Sequence, residues 1–349
     1  MSYKQMTGNI ISATKVEPDG KLTSSAASGV WSLQEQYDYV RGDNWPNAAN
    51  PLPRGLFAGG ITTGNSSHNV IQTIAIDSLG NASDFGDLSA AQDSLASVSS
   101  KTRAVFGGGD NGSSVSRNVM EYVTILTTGN VTDFGDLTLQ RFNLGGAGSN
   151  TRGIFFAGWN SQADAIQNVI DYITIASTGD ATDFGDTTAG WYRLAGLAST
   201  TRAVVGSGTA AANPTNVMEY VTISSTGNSQ DFGDLTAARR FATAASSPTR
   251  GLFIGGDQSN VIDYITIAST GNATDFGDLS SAARSGAALS SKVTGLHAGG
   301  HGSNEDGGTG NNGKWIQAIT IATLGNSTSH GDLLAGVADT AGCSEGHGG

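Results

Sequence analysis

Small, apolar and polar positions follow one another along this chain in a repeating cycle. A small-residue segment such as "ARSGAALSSK" (283–292) leads into a short apolar run ending in small residues, of which "RGLFIGG" (250–256) is one example. After a variable loop comes a run such as "NVIDYITIAST" (260–270), apolar on both faces and rich in β-branched residues. A solvated strand would alternate and a helix would carry fewer branched side chains, so this run predicts a strand sandwiched between neighbouring sheets. "TGN" then predicts a two-residue hairpin turn, because Gly and Asn accept positive φ cheaply. "ATDFGDL" (273–279) is the returning strand.

The cycle occurs six times. Its turn glycines are Gly80, Gly129, Gly179, Gly227, Gly271 and Gly325, at intervals of 49, 50, 48, 44 and 54 residues. Four short strands in a period of this size are the signature of a propeller blade. The predicted architecture is therefore all-β: a six-bladed propeller over 51–349, preceded by a segment 1–50. The expected blades are 54–88 with 335–345, then 89–137, 138–187, 188–235, 236–279 and 280–333. The first blade takes its innermost strand from the C-terminus, because "LLAGVADTAGCSEG" (333–346) has the small-residue character that "NWPNAANPLP" (44–53) lacks. Closure of this kind removes open sheet edges.

In the N-terminal segment, Ser32 followed by Glu35 forms a capping box for a short helix over about 32–41, with Gly42 as its stop. Trp31, Leu33, Tyr37 and Val40 make one apolar face, with Trp45 just beyond. A helix this short is marginal alone, so it must dock, either on its own propeller or on another protein as an anchor.

Composition narrows the picture. Glycine is 50 of 349 residues and proline only 6, which suits Gly-rich turns and excludes a collagen-like chain. The formal charge of −12 disfavours nucleic acid and anionic membranes as partners. One cysteine, Cys343, excludes an intramolecular disulfide and a cysteine metal cluster. The sequence has no apolar h-region and no run of eighteen apolar residues, so neither a secretory signal nor a membrane span is expected.

The order of features resembles the kelch repeat, "GLFIGG" and "VIDYITI" matching its Gly-Gly and tyrosine positions. Where kelch repeats carry tryptophan, this chain has Phe85, Phe134, Phe184, Phe232, Phe276 and His330. A second resemblance joins "ASGVWSLQEQYDYVRGDNWP" (27–46), and the style of the repeat, to structural proteins of marine tailed bacteriophages, especially those infecting cyanobacteria. It implies a particle component: a fibre, tail or capsid-surface appendage, located in the virion.

Each candidate for chemistry also has a structural role open to it. The Asp pair of "DFGD" could suggest paired carboxylates or calcium ligands. A group repeated around a ring is usually architectural, and Arg54, Arg103, Arg152, Arg202 and Arg250 recur as possible partners. "GGGDNGSS" (107–114) reads as a loop, since no Lys-Ser/Thr follows it. The Asn-x-Ser/Thr triplets at Asn81, Asn130, Asn272 and Asn326 fall on the turns and serve turn geometry. Blade 6 holds His297, His301 and His330, with His347 and Cys343 near the seam, but no tight metal-ligand spacing, so no metal or cofactor is expected. Among the variable loops, Trp159 with Asn160 and Gln162, and Trp191 nearby, suit sugar stacking and amide–hydroxyl contacts, or else the tryptophans fill gaps between blades.

The expected function is a non-enzymatic virion structural protein. Its N-terminal segment attaches it to portal, capsid or tail subunits, in several copies per particle, and its propeller is displayed to a protein or a host-surface glycan. The alternative is a lectin-like propeller or a sugar-active propeller enzyme.

Overall fold

Each blade is an antiparallel sheet whose four main strands run in chain order from the axis outward, except that the first blade takes its innermost strand from the end of the chain. In the second blade these are Ala96–Ser99, Arg103–Gly107, Val119–Thr124 and Thr132–Asp136. The structure is a computed structural model that describes residues 53–344 except 212, 258 and 304–308. The expected helix, the face of Trp31, Leu33, Tyr37 and Val40, Trp45, and His347 lie outside the described residues.

Six such sheets stand around one axis, and their innermost strands neighbour one another in a closed circle. The circle is completed as the sequence predicts. Ala341–Ser344 pairs with Arg54–Ala58, Gly55 opposite Ser344 and Ala58 opposite Ala341. These innermost strands are small-residue strands because they crowd the axis. A Cβ on Gly196 would stand 2.5 Å from the Gly146 carbonyl, and one on Gly342 2.7 Å from that of Ala288.

The core lies between blades. Ile154, Phe156, Ile170 and Phe184 of the third blade share a buried cluster with Ala203, Val205, Val221 and Ile223 of the fourth. Each large side chain buried this way contributes about 1.5–3 kcal/mol. This two-sided burial explains why the third strand is apolar on both faces.

The recurring turn phrase does something the sequence did not suggest. No two-residue hairpin forms. In the second blade the third strand ends at Thr124 and the fourth begins at Thr132, so "TGN" lies in a longer connection. That connection clasps the outer strand of the preceding blade. The Gly129 amide donates to the Phe85 carbonyl (2.9 Å), the Val131 amide to the Asp87 carbonyl (3.0 Å), and the Asn130 side chain accepts from the Asp87 amide (3.0 Å). The same three bonds recur at every seam, with Asp180 in the asparagine's place at the third blade. At the closing seam Gly80 donates to His330 and Ala82 to Asp332, while Asn81 accepts from Asp332. Glycine in "DFG" is required by the close approach: a Cβ on Gly185, at φ 147°, would meet the Gly227 carbonyl carbon at 2.6 Å. The clasp covers the outer sheet edge of every blade.

The repeated arginines also differ from expectation. They do not bridge to the "DFGD" carboxylates. Arg103, Arg152, Arg202 and Arg250 stack over Tyr122, Tyr172, Tyr220 and Tyr264 of their own blades, 4.2–4.7 Å from the ring centres. Each donates to a carbonyl of the next blade, that of Ile175, Ile223, Ile267 or Ile321, as Arg54 does to Ile125. A carbonyl accepts the charged donor without the desolvation of a second charge.

Candidate functional site

In a four-stranded antiparallel blade, the turn joining strands one and two emerges at the same end as the connection joining three and four. The loop joining two and three emerges at the other end, with the link to the next blade. These two ends differ sharply here. At the first end, Ser100, Ser149, Ser199, Ser247 and Ser291 cap identical turns, each hydroxyl accepting two backbone amides at 3.0–3.4 Å.

The second end surrounds one mouth of the axis, and its backbone is as regular as its side chains are not. Ser94, Asn143, Arg193, Phe241, Ser285 and Asp339 occupy equivalent positions, all with φ between 51° and 64°. Their backbones form a circle of six hydrogen bonds at 2.6–3.1 Å: Asn143 donates to Ser94, Arg193 to Asn143, Phe241 to Arg193, Ser285 to Phe241, Asp339 to Ser285, and Ser94 to Asp339. Asn tolerates the left-handed conformation well, whereas Arg and Phe are strained by about 1–2 kcal/mol. The fold requires the conformation but not those two costly side chains.

They form a cluster. The guanidinium carbons of Arg193, Arg240 and Arg284 all lie around the Phe241 ring, at 4.4, 5.9 and 5.8 Å from its centre. Arg193 also covers Tyr192 at 4.7 Å, and Tyr192 packs against Trp159 with ring centres 5.5 Å apart. Arg240 has a counter-charge, donating to Asp257 at 3.1 Å. Among the described residues Arg193 and Arg284 have none, and the Nε of each is buried without an acceptor. Burial, and then the neighbouring guanidinium groups, push the Arg193 pKa below its ordinary value, while the Tyr192 hydroxyl and Asp339 act against them.

Across the mouth the charge changes sign. Asp339 faces His301 at 3.8 Å. Asp93 accepts from the hydroxyls of Ser67 (2.5 Å) and Ser94 (3.0 Å). Burial pushes its carboxyl up to about 6, Asp110 and Asp339 adding to the rise while those two hydroxyls resist it. Ser94, Asn143, Arg193, Phe241, Ser285 and Asp339 line a depression of about 420 Å³, counting its open side.

The residues singled out from the sequence are dispersed. Trp159 is half-buried at this end of the propeller, packed against Tyr192. Trp191 is 2% exposed, packed between the third and fourth blades, so of the two sequence readings it fills the gap. Asn160 is buried, its Oδ1 capping the loop by accepting the amides of Gln162 and Ala163. Gln162 is exposed at the loop tip.

His297 lies in the core opposite Gln317, where other blades have Phe57, Phe106, Phe155 and Phe253. Its Nδ1 meets the Thr243 hydroxyl at 2.9 Å, and burial pushes it down to about 4. His330 meets the Ala75 carbonyl at 3.2 Å and His301 stays at the mouth, so the three histidines do not converge. Cys343 is buried among the innermost strands, and burial pushes its thiol up to about 12 despite the Ser97 hydroxyl.

The carboxylates inside the blades have structural tasks. Asp171 and Asp263 pair with Arg141 (2.6 Å) and Arg239 (2.9 Å) and take the amides of Thr138 and Thr236. Glu219 accepts from Thr188 and Ser229. Each ties its blade to the end of the preceding outer strand or to the chain just after it.

Sequence reading missed Tyr192, Arg193, Arg240, Phe241 and Arg284. A signal was present: aligning the cycles on their small-residue strands sets "GWYR", "ARRF" and "AARS" in one column, three arginine-bearing words in a chain with only 18 Lys and Arg. No family model matches the chain, and no curated protein matches it either. Among the described residues no helix is long and apolar enough to cross a membrane.

Proposed function

We propose that this β-propeller is a binding and display module, and that the chain is a non-enzymatic structural protein of a tailed-bacteriophage particle: a fibre, tail or capsid-surface appendage. The observation that carries the binding reading is the contrast between the two ends. One repeats the same serine-capped turn, whereas the other sets six different or differently surrounded side chains on one rigid circle. Variable side chains on a rigid scaffold are the usual construction of a recognition surface. The non-enzymatic reading is supported by the use to which the repeated acids are put, since Asp171, Glu219 and Asp263 are consumed in ties between blades.

The virion assignment rests on the resemblance of residues 27–46, and of the repeat style, to phage structural proteins. It implies attachment through the N-terminal segment to portal, capsid or tail subunits, in several copies. Electron microscopy of purified particles labelled with antibody to the propeller tests it. Label on the particle surface is expected; label recovered only in the particle-free lysate would overturn it. A lectin-like reading has its own support in the Trp159–Tyr192 pair beside unpaired arginines.

A further inference from the structure

We propose that the axial mouth beside Phe241 binds a sugar bearing a single carboxylate, which the Arg193 and Arg284 guanidinium groups receive while the ring lies against the half-exposed Trp159. The inference rests on reading the propeller as a display module and adds the chemistry of what it touches.

Three observations converge. Three guanidinium carbons lie within 5.9 Å of one ring centre in a chain of net charge −12, and only Arg240 has a carboxylate partner among the described residues. The Nε atoms of Arg193 and Arg284 are closed off without an acceptor, which leaves the outer N–H groups of these two guanidinium ions, unmatched by any carboxylate among the described residues, to receive an incoming carboxylate with charge-assisted bonds. Arg193 and Phe241 stand at left-handed φ of 64° and 59°, where the fold would accept less strained residues, so their side chains are retained against the backbone's preference.

The opposite side of the mouth selects among anions. Asp339 lines the depression that Arg193 and Phe241 also line, with Asp93 and Asp110 behind it. Asp93 and Asp110 are buried, so Asp339 is the carboxylate that meets the mouth, where it accepts hydrogen bonds from hydroxyl groups and repels further negative charge. A polyacidic peptide or a nucleic acid would set charges against them, whereas a monocarboxylated sugar offers hydroxyls. Tyr192 is held between Trp159 and the Arg193 guanidinium, so the half-exposed Trp159 is the ring left for a pyranose to lie against.

The test is an array of uronate- and sialate-terminated oligosaccharides printed beside the same chains with the carboxylate reduced to an alcohol. The full chain should bind acidic spots and leave their reduced counterparts blank. Affinity should fall about tenfold or more in Arg193→Gln/Arg284→Gln, more weakly in Trp159→Ala, and with added salt. Melting temperatures of the variants identify loss by unfolding, and Arg193→Lys/Arg284→Lys should regain part of the binding if charge is the cause. Silence on every acidic spot, equal binding to reduced spots, unchanged binding by the double glutamine variant, or Arg-dependent capture of a hexaglutamate peptide alone would each overturn the proposal. None of those results would move the antibody label on particles, so the display reading fails or stands separately.

Discussion

The two ends of the propeller are built from the same six sheets and obey opposite rules. At the end with serine-capped turns, the chain repeats itself: a cap, an arginine reaching the next blade, and a clasp in which Asn or Asp accepts an amide from the neighbouring outer strand. At the other end the backbone is equally regular but the side chains diverge, to the point of holding Arg and Phe in a conformation they disfavour. Regularity at both ends reflects the ring, which requires every seam to fit. Divergence at one end reflects freedom from that requirement, and this is where a ligand can be accommodated without disturbing a seam.

The comparison is broken most severely by opening the ring. Deleting residues 335–349 removes the innermost strand of the first blade and leaves Arg54–Ala58 with an unpaired edge. We expect a loss of more than about 4 kcal/mol, or no cooperative melting at all; an unchanged melting temperature would refute the closure. A single clasp glycine comes next. Gly185→Ala sets a methyl against the Gly227 backbone, and backbone cannot rotate away as a side chain can. Urea denaturation should register roughly 2–3 kcal/mol of destabilisation, within the range of an overpacked site.

Two titrating groups sharpen the contrast because their effects oppose each other. His297, held at about 4 in the native state, stays neutral while the unfolded chain takes up a proton near 6.5. Its contribution is complete above pH 6.5 and is lost, by about 3 kcal/mol, as pH falls towards 4. Asp93, raised to about 6 from 3.8, behaves in reverse: its contribution is present below 3.8 and is lost as pH rises through about 6. The whole chain should therefore show a shallow stability profile between pH 6.5 and 4. His297→Gln should leave stability increasing as pH falls, and Asp93→Asn should leave it decreasing. Profiles of the same slope in both variants would show that neither group carries the linkage. The smallest effect belongs to the mouth: Phe241→Asn relieves the φ strain while removing ring contacts, and chemical denaturation should shift by less than about 1 kcal/mol. Comparable losses from Gly185→Ala and Phe241→Asn would erase the distinction between the ends.

Much of this architecture was readable in the chain because it is repeated. Six spaced copies of the turn phrase gave the blade number, and the small-residue tail at 341–344 gave the closing strand. What could not be read was what each repeated residue touches. "TGN" and "DFGD" have the local chemistry of turns, yet their bonds run between blades some 43 residues apart in sequence, as from Asp87 to Asn130. The arginines have the charge to pair with aspartate, but their reach ends on a carbonyl of the next blade. The mouth was hidden for the opposite reason. Its residues do not repeat, and only the ring brings Arg193, Phe241 and Arg284 together. Trp191, exposed to inspection in the sequence, is buried by the same packing that leaves Trp159 half-exposed.

Native-state hydrogen exchange of the amides in the clasps tests the central claim most directly, because it compares the seam that closes the ring with the seams inside it. Gly80 and Ala82, which tie the first blade to the last, should be as protected as Gly179 and Ala181, which tie the third to the second. Gly80 and Ala82 exchanging at the rate of exposed loops, with Gly179 and Ala181 protected, would mean that the six sheets do not form a closed ring.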